Sequence, residues 1–235
     1  MIPEPRFAIY LAPEPHEALW QFGSQWLGYD AETRADLKYP GLPGLSAETI
    51  REATAHPRLY GLHITLKAPF RLAEGATVED LEWALAELAR RHAPFGPFGL
   101  EFEARKAGEE QVFLCLAPAE PVAPLRALEA DAVVDLDRFR APLTPAEIAR
   151  RKPERLGRKE RGYLDAHGYP HVLDLFRPHI SLTGPVVPGS PVHIALAGYF
   201  RQNEALMSLA CRSVLLFEQP EPGARFHIRQ RIPLG

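Results

Sequence analysis

Sulfur is scarce in this chain: two cysteines and two methionines in 235 residues. Cys115 and Cys211 each sit among apolar neighbours, Phe-Leu-Cys-Leu and Leu-Ala-Cys-Arg. That setting points to buried thiols and excludes a disulfide framework. Long hydrophobic runs are missing, and Met1-Ile2-Pro3-Glu4-Pro5-Arg6 has no basic region leading into an apolar stretch. A soluble, cytoplasmic chain with no membrane partner is therefore expected. An excess of one charge is missing too. The net charge of −3 offers no general polyanion surface, so any RNA contact would be local. No His, Cys, Asp or Glu spacing matches a metal site, and no glycine-rich loop is present to cradle phosphate. Neither a metal nor a cofactor is expected.

What is there is ordinary globular material, 46% hydrophobic and 24% charged, long enough for one large domain or two small lobes. Within it one short pattern occurs twice. The first copy is Gly61-Leu-His63-Ile-Thr65-Leu-Lys67-Ala-Pro-Phe70, and the second is Arg177-Pro-His179-Ile-Ser181-Leu-Thr183-Gly-Pro-Val186. Each has a histidine, an aliphatic residue, a hydroxyl residue and Leu, with Pro after two further residues. Alternation along a strand puts His63, Thr65 and Lys67 on one face and Ile64 and Leu66 on the other. By the same rule Arg177, His179, Ser181 and Thr183 share a face. Each strand then has an apolar back and a front of imidazole, hydroxyl and cation.

The order of elements repeats around these strands. Phe7 to Leu11 reads as a strand, and Leu19, Phe22, Trp26 and Leu27 recur at helical spacing over roughly residues 16–28. Residues 38–45 are loop by composition, and Ser46 caps a short helix that stops before Pro57. After the first His strand come a turn at Glu74-Gly75 and a helix opened by Thr77 and Asp80, with a stripe of Leu81, Ala84, Leu85 and Leu88. Residues 94–99, Pro-Phe-Gly-Pro-Phe-Gly, read as a stiff connector. Leu100 to Ala104 pairs with Val112 to Leu116 around Lys106-Ala107-Gly108. Val112-Phe-Leu-Cys-Leu-Ala-Pro118 echoes Phe7-Ala-Ile-Tyr-Leu-Ala-Pro13, and a helix follows over about 121–132. Thr144, Pro145 and Glu147 carry helix-start signals. The second His strand, at 177–183, is followed by a capped helix start at Ser190-Pro191. Val214 to Glu218 and Arg225 to Gln230 close as a hairpin. An internal duplication, with repeats of about 1–110 and 111–235 in one bilobal domain, accounts for this order. The expected fold is α+β: two pseudo-symmetric lobes, each an antiparallel sheet with helices on its outer face, facing one another across a central cleft.

Two imidazoles facing one phosphate can divide phosphodiester cleavage, one taking a proton from the attacking oxygen and the other giving one to the leaving oxygen. Histidine suits both tasks because its unperturbed pKa of about 6.5 keeps both forms available near neutrality. Thr65 and Ser181 can donate hydrogen bonds to non-bridging oxygens, and Lys67 and Arg177 can offset charge. The chain's histidines, serines and threonines would yield roughly 0.5 His-x-Ser/Thr matches by chance. Here both matches lie in predicted strands, both precede Leu-x-x-Pro, and both hold the same place in a repeated order.

The paired His-Ile-Thr-Leu and His-Ile-Ser-Leu, with histidines 116 residues apart, resemble the two-histidine (2H) phosphoesterase superfamily. That resemblance implies a bilobal α+β fold and metal-independent cleavage of cyclic phosphodiesters. It implies His63 and His179 as the acid and base, and Thr65 and Ser181 as phosphate-binding residues. Arg6-Phe-Ala-Ile-Tyr-Leu-Ala-Pro13, Leu19 to Asp30, Tyr60 to Phe70 and Phe176 to Gly184 resemble a bacterial branch associated with phosphonate metabolism. The substrate implied by that branch is a phosphoribosyl cyclic phosphate.

Other candidate substrate-binding residues are Lys67 and Arg177 beside the histidines, Tyr10 on the first strand, and Tyr60 just before the first motif. Arg140, before Ala141-Pro142, is placed to reach a second phosphate. Residues 150–161 carry seven Lys or Arg against two Glu, which reads as a solvated helical face broken at Pro153 rather than a nucleotide-contacting lid. His167 and His171 lie in a turn near the second motif, where they line the pocket or are plain surface. The expected molecule is a monomeric hydrolase acting on a small cyclic phosphate. Its rivals are an RNA 2′,3′-cyclic phosphodiesterase or 2′–5′ ligase-like enzyme, with RNA less favoured by the net charge, and a non-catalytic nucleotide- or phosphate-binding module.

Overall fold

The computed structural model describes residues 4–235; residues 1–3, part of the N-terminal segment read above, lie outside the described residues. In chain order the regular elements are β1 (Arg6–Leu11), α1 (Ala18–Leu27), α2 (Ala47–Ala53), β2 (Ile64–Phe70) and α3 (Val78–Ala89). Next come β3 (Phe95–Lys106), β4 (Val112–Pro118), α4 (Ala123–Asp135), α5 (Pro145–Arg150) and α6 (Arg158–His167). The chain ends with β5 (Ile180–Ser181), α7 (Pro191–Gln202), β6 (Ser208–Cys211), β7 (Ser213–Gln219) and β8 (His227–Pro233). The fold is α+β with antiparallel strand pairing, as expected. Among the described residues no helix is long and apolar enough to cross a membrane.

Local chemistry accounts for most helix starts. The Ser46 hydroxyl accepts the N–H of Thr49, the Thr77 hydroxyl accepts the N–H of Asp80, and Thr144 with Glu147 forms a reciprocal capping box. Leu19, Phe22, Trp26 and Leu27 bury one face of α1, and Leu81, Ala84, Leu85 and Leu88 bury one face of α3. Ser190 behaves differently. It stands at the N-cap of α7, but its hydroxyl is buried without a partner, and Pro191 opens the helix through its fixed φ.

The strands form one eight-stranded sheet in the order β6-β3-β4-β5-β2-β1-β7-β8. The two sheets predicted to face one another are thus a single sheet, because the two His strands pair with each other at Ile64 and Ile180. On either side of that seam stand β1 and β4, the two strands that echo one another in sequence. The late strand β7 pairs with β1, while the early strand β3 pairs with β4. Each side of the seam therefore draws strands from both halves of the chain. Behind the sheet α4 packs on β2, and α3 packs on β7 and β8. Phe200 of α7 lies against Phe102 of β3 and Phe22 of α1.

Three elements differ from their sequence reading. Residues 94–99 are not a connector, since Phe95 to Gly99 is the first part of β3 and pairs with β6, a strand with no marked sequence signal. Pro97 is accommodated at a register shift between Phe95 and Phe98, the kind of place where a strand tolerates a residue without an N–H. The second His strand is shorter than 177–183. Leu114 O accepts the N–H groups of both Leu182 and Thr183, and the Thr183 hydroxyl accepts the N–H of Leu114. Thr183 is therefore buried within the ladder and does not share the front with His179. Trp26 Nε1 donates to Leu182 O at 2.7 Å and pins this irregular stretch to α1.

The third difference concerns Lys67. The β1–β2 register runs Leu11 with Ile64, Tyr10 with Thr65, then Ile9 with Lys67. Two residues of β2 are spent against one of β1, which is a β-bulge, and a bulge re-aims the side chains beyond it. Opposed residues share a face, so Lys67 joins Ile9, Leu11 and Ile64 on the core side instead of following Thr65 to the front. There it is only 3% exposed, and its ammonium donates to Val133 O (3.0 Å) and to Asp137 Oδ1 (2.9 Å). Burial lowers the Lys67 pKa, and Asp137 partly restores it. Asp137 also receives Arg140 through two bonds of 2.9 Å, one from Nε and one from Nη2, and Arg140 Nη2 bonds Ala166 O as well. Burial pushes the Asp137 carboxyl up, but the bonds from Arg140 and Lys67 outweigh it and hold the pKa below the ordinary value. Lys67 and Arg140, both expected to bind substrate, are consumed in this interior network.

Removing one partner of such a pair leaves a buried charge uncompensated. Asp137→Ala is expected to cost about 3 kcal/mol, read from the urea midpoint, with Asp137→Asn costing less because it keeps hydrogen-bonding groups. A loss under about 0.5 kcal/mol, the size of an ordinary surface substitution, would show that Lys67 does not need Asp137.

Candidate active site

The antiparallel match of Ile64 with Ile180 carries the register one residue each way. His63 then stands across from Ser181, and Thr65 across from His179, with the aliphatic pair turned to the core. Each histidine faces the hydroxyl of the other motif. Tyr10 lies opposite Thr65, and Cys115 opposite Ser181, so β1 and β4 extend the same front. Burial pushes the Cys115 thiol up to about 12, which leaves it protonated and no nucleophile.

The two imidazoles are held in the same way. His63 Nδ1 is 3.0 Å from Gly61 O, and His179 Nδ1 is 2.8 Å from Arg177 O. A carbonyl only accepts, so each Nδ1 carries a proton and each Nε2 is left for chemistry. At His63, Nε2 accepts the Thr65 hydroxyl at 3.1 Å. The turn that places Gly61 O has φ +76° at Gly61, where an added Cβ would meet the Ala31 side chain at 2.9 Å. Glycine is required there by both conformation and space.

Burial sets the charge states. It pushes the His63 pKa down to about 4, the bond to Gly61 opposes this, and His179 adds a further lowering. Burial lowers His179 as well, with Arg105 and His171 acting in the same direction and the Arg177 carbonyl and Glu103 against it. The lowering of His63 by His179 marks the two histidines as electrostatic neighbours.

Tyr10 is buried and stacks on His63 with ring centroids 3.6 Å apart. Burial, then Tyr60 and Tyr169, raise its pKa well above the ordinary phenol value, while Arg6 and Arg151 pull it down. Tyr60 stacks on Phe226 (5.3 Å) and lies 6.4 Å from His63. The structure thus brings Tyr10 and Tyr60 to His63, and Arg177 to His179, while Lys67 and Arg140 stay in the interior. The basic stretch is mostly tied to its own neighbourhood: Arg161 bonds Pro153 O, and Lys159 pairs with Asp174. Arg151 is carried in, its guanidinium 4.9 Å from the centre of the Tyr169 ring.

Glu103, Arg105, Arg151 and Tyr169 were not singled out from the sequence as site residues. Glu103 and Arg105 share the front through their pairing with Cys115 and Phe113, and they form an ion pair. Alternation along β3, counted from Glu103, was the available signal. Nothing local marked Arg151 or Tyr169. The loop that bears Tyr169 is pinned from behind, where the buried Glu129 carboxylate accepts the N–H of Leu173 and burial pushes its pKa up to about 7. Among the described residues no three His, Cys, Asp or Glu side chains converge as metal ligands.

The family described as protein of unknown function (DUF1045) matches residues 65–227, from Thr65 through the whole of the second motif. A ribose 1,5-bisphosphate phosphokinase PhnN of Janthinobacterium sp. (strain Marseille) is 30% identical over 236 residues, covering 98% of this chain and 51% of the relative. The protein of the same name from Laribacter hongkongensis (strain HLHK9) is 34% identical over 225 residues, covering 95% and 50%. The chain thus spans about half the length of the curated relatives it matches. Among solved structures, Escherichia coli LigT complexed with ATP is 16% identical with a TM-score of 0.40, covering 98% of each chain. Kluyveromyces marxianus Usb1 is 13% identical with a TM-score of 0.39, covering 99% of each.

The depressed His63 pKa sets a pH dependence. The unfolded histidine takes its proton near pH 6.5, whereas the folded one does so only near 4, so between those values the unfolded chain binds more protons. Stability supplied above pH 6.5 is therefore lost as pH falls toward 4. An NMR titration should place the His63 midpoint near 4, and His63→Gln should flatten the denaturation profile in that window. A midpoint at or above 6.5 would contradict the burial.

Proposed function

The chain belongs to the DUF1045 family, and from that premise we propose that it is a two-histidine phosphoesterase that opens a cyclic phosphodiester. His63 and His179 are the base and acid, and the substrate is a phosphoribosyl cyclic phosphate of phosphonate metabolism. One observation carries the reading. Two histidines on adjacent strands each have Nδ1 spent on the carbonyl two residues upstream, which leaves both Nε2 atoms free of backbone, the one on His63 meeting the Thr65 hydroxyl of its own motif.

In this mechanism the cyclic phosphate sits over the β2–β5 seam. Neutral His63 removes a proton from water as its oxygen forms a new bond to phosphorus. Protonated His179 gives a proton to the ring oxygen as its bond to phosphorus breaks, so the product is a ring-opened phosphomonoester. The depressed His63 pKa suits it to the base role, and the incoming anion favours the protonated form of its partner. Thr65 and Ser181 donate to the non-bridging oxygens.

The relatives' name, a phosphokinase of ribose 1,5-bisphosphate, supports a phosphorylated ribose as the substrate class. This chain has no G-x-x-x-x-G-K-[ST] loop to hold a nucleoside triphosphate and spans half of those relatives, so the phosphoryl transfer they are named for is not assigned to it. The partly buried ring of Tyr60, 6.4 Å from His63, favours a second reading, in which a nucleoside 2′,3′-cyclic phosphate stacks on it.

Both substrates should be compared with EDTA present. Preference for phosphoribosyl 1,2-cyclic phosphate is expected, and preference for the nucleoside would move the protein to RNA-end chemistry. His63→Ala and His179→Ala should each lower kcat/KM by roughly 10²–10⁴-fold with a melting temperature near wild type. Activity abolished by EDTA would sink the metal-free mechanism.

A further inference from the structure

Next to His179, on the β3–β4 side, lies a cavity of about 240 Å³ whose lining includes Arg105, Arg126, Arg177, Glu120, Val122 and Pro178. Its three arginines come from β3, from α4 and from the segment leading into β5, so only the tertiary fold gathers them. Arg105 is paired with Glu103. Among the described residues neither Arg126 nor Arg177 has a carboxylate within ion-pair distance, and both are exposed. Among the lining residues Glu120 is the one carboxylate. Val122 is the N-cap of α4, which has no side-chain cap and no acid in its first turn. The positive end of that helix is thus unneutralised at the cavity edge. A larger cavity of about 420 Å³, beyond Ala119 to Val122, is lined by Phe95, Phe98 and prolines and has no such cations.

The arginine cavity is linked to His179 through the residues that line it. Arg177, whose side chain lines it, supplies the carbonyl that holds His179 Nδ1 at 2.8 Å, and Arg105 Nη1 lies 3.5 Å from that same oxygen. Its volume falls below the roughly 300–1,000 Å³ of pockets that enclose a whole ligand. It is sized for one group of a larger molecule. Planar guanidinium forks match the oxygens of a phosphate.

We propose that this cavity is a second phosphate subsite, holding a phosphomonoester that the substrate carries away from the bond that reacts, with Arg126 and Arg177 as its ligands. The inference rests on the reading of the histidine pair as the reaction centre. It adds which residues hold the terminal phosphate of that substrate, apart from the cyclic group that reacts.

The test compares phosphoribosyl 1,2-cyclic phosphate with ribose 1,2-cyclic phosphate, which lacks the terminal group. Wild type should favour the first, and Arg126→Ala should reduce that preference at least tenfold, mainly through KM. Arg126→Lys should recover part of it. An unchanged preference in Arg126→Ala overturns the subsite. Calorimetry with ribose 5-phosphate separates this from the catalytic reading, because it needs no turnover. Binding that persists in His63→Ala and weakens at least tenfold in Arg126→Ala supports the subsite, even if wild type hydrolyses neither cyclic compound. Binding lost in His63→Ala but kept in Arg126→Ala, or absent in wild type, overturns it.

Discussion

The pairing of Ile64 with Ile180 is the constraint on which the rest of this molecule depends. Both side chains are buried, and the apolar area they remove from water favours this register over a one-residue slip, which would turn one of the two isoleucines outward. With that register set, the flanking residues have no freedom of placement. His63 meets Ser181, His179 meets Thr65, and all four stand on the face away from the core. A chemical front is thus produced by a hydrophobic contact behind it.

Around that seam the polar groups divide into two sets with different tasks. Gly61 O and Arg177 O orient the imidazoles and fix their tautomers, so each Nε2 is left without a proton and without a carboxylate partner. Behind the sheet, Lys67, Asp137 and Arg140 form a charged network that ties β2, the turn after α4 and the end of α6 together. Glu129 adds the loop at Leu173. The loop bearing Tyr169 and His171 is thus anchored to the scaffold that carries the first histidine. Burial depresses both histidines, while the guanidinium groups collect on the His179 side. The site is asymmetric in charge although its four motif residues are related crosswise.

Much of this was legible along the chain because it depends on near neighbours. Ser46, Thr77 and Thr144 act on N–H groups three residues away, the stripe of α1 follows a fixed period, and both His motifs announce their strands by alternation. What failed to show depends on partners far away in sequence. Pro97 reads as a strand breaker until β6 offers a ladder with a register shift that needs no N–H from it. Lys67 reads as a front-face cation until β1 imposes a bulge that turns it inward to Asp137. Thr183 reads as a fourth front residue until Leu114 claims its hydroxyl.

The sequence by itself determined the two histidine motifs, the α+β class, the burial of both cysteines and the amphipathic faces of the main helices, since each follows from side-chain chemistry within a few residues. Only the tertiary structure decided that the two His strands are neighbours in one sheet, that Lys67 and Arg140 are interior, and that Arg105, Arg126 and Arg177 converge beside His179. Those outcomes depend on strand order, on a bulge set by the opposing strand, and on arginines separated by 21 and 51 residues. No periodicity in a single chain encodes which distant backbone will supply the next hydrogen bond.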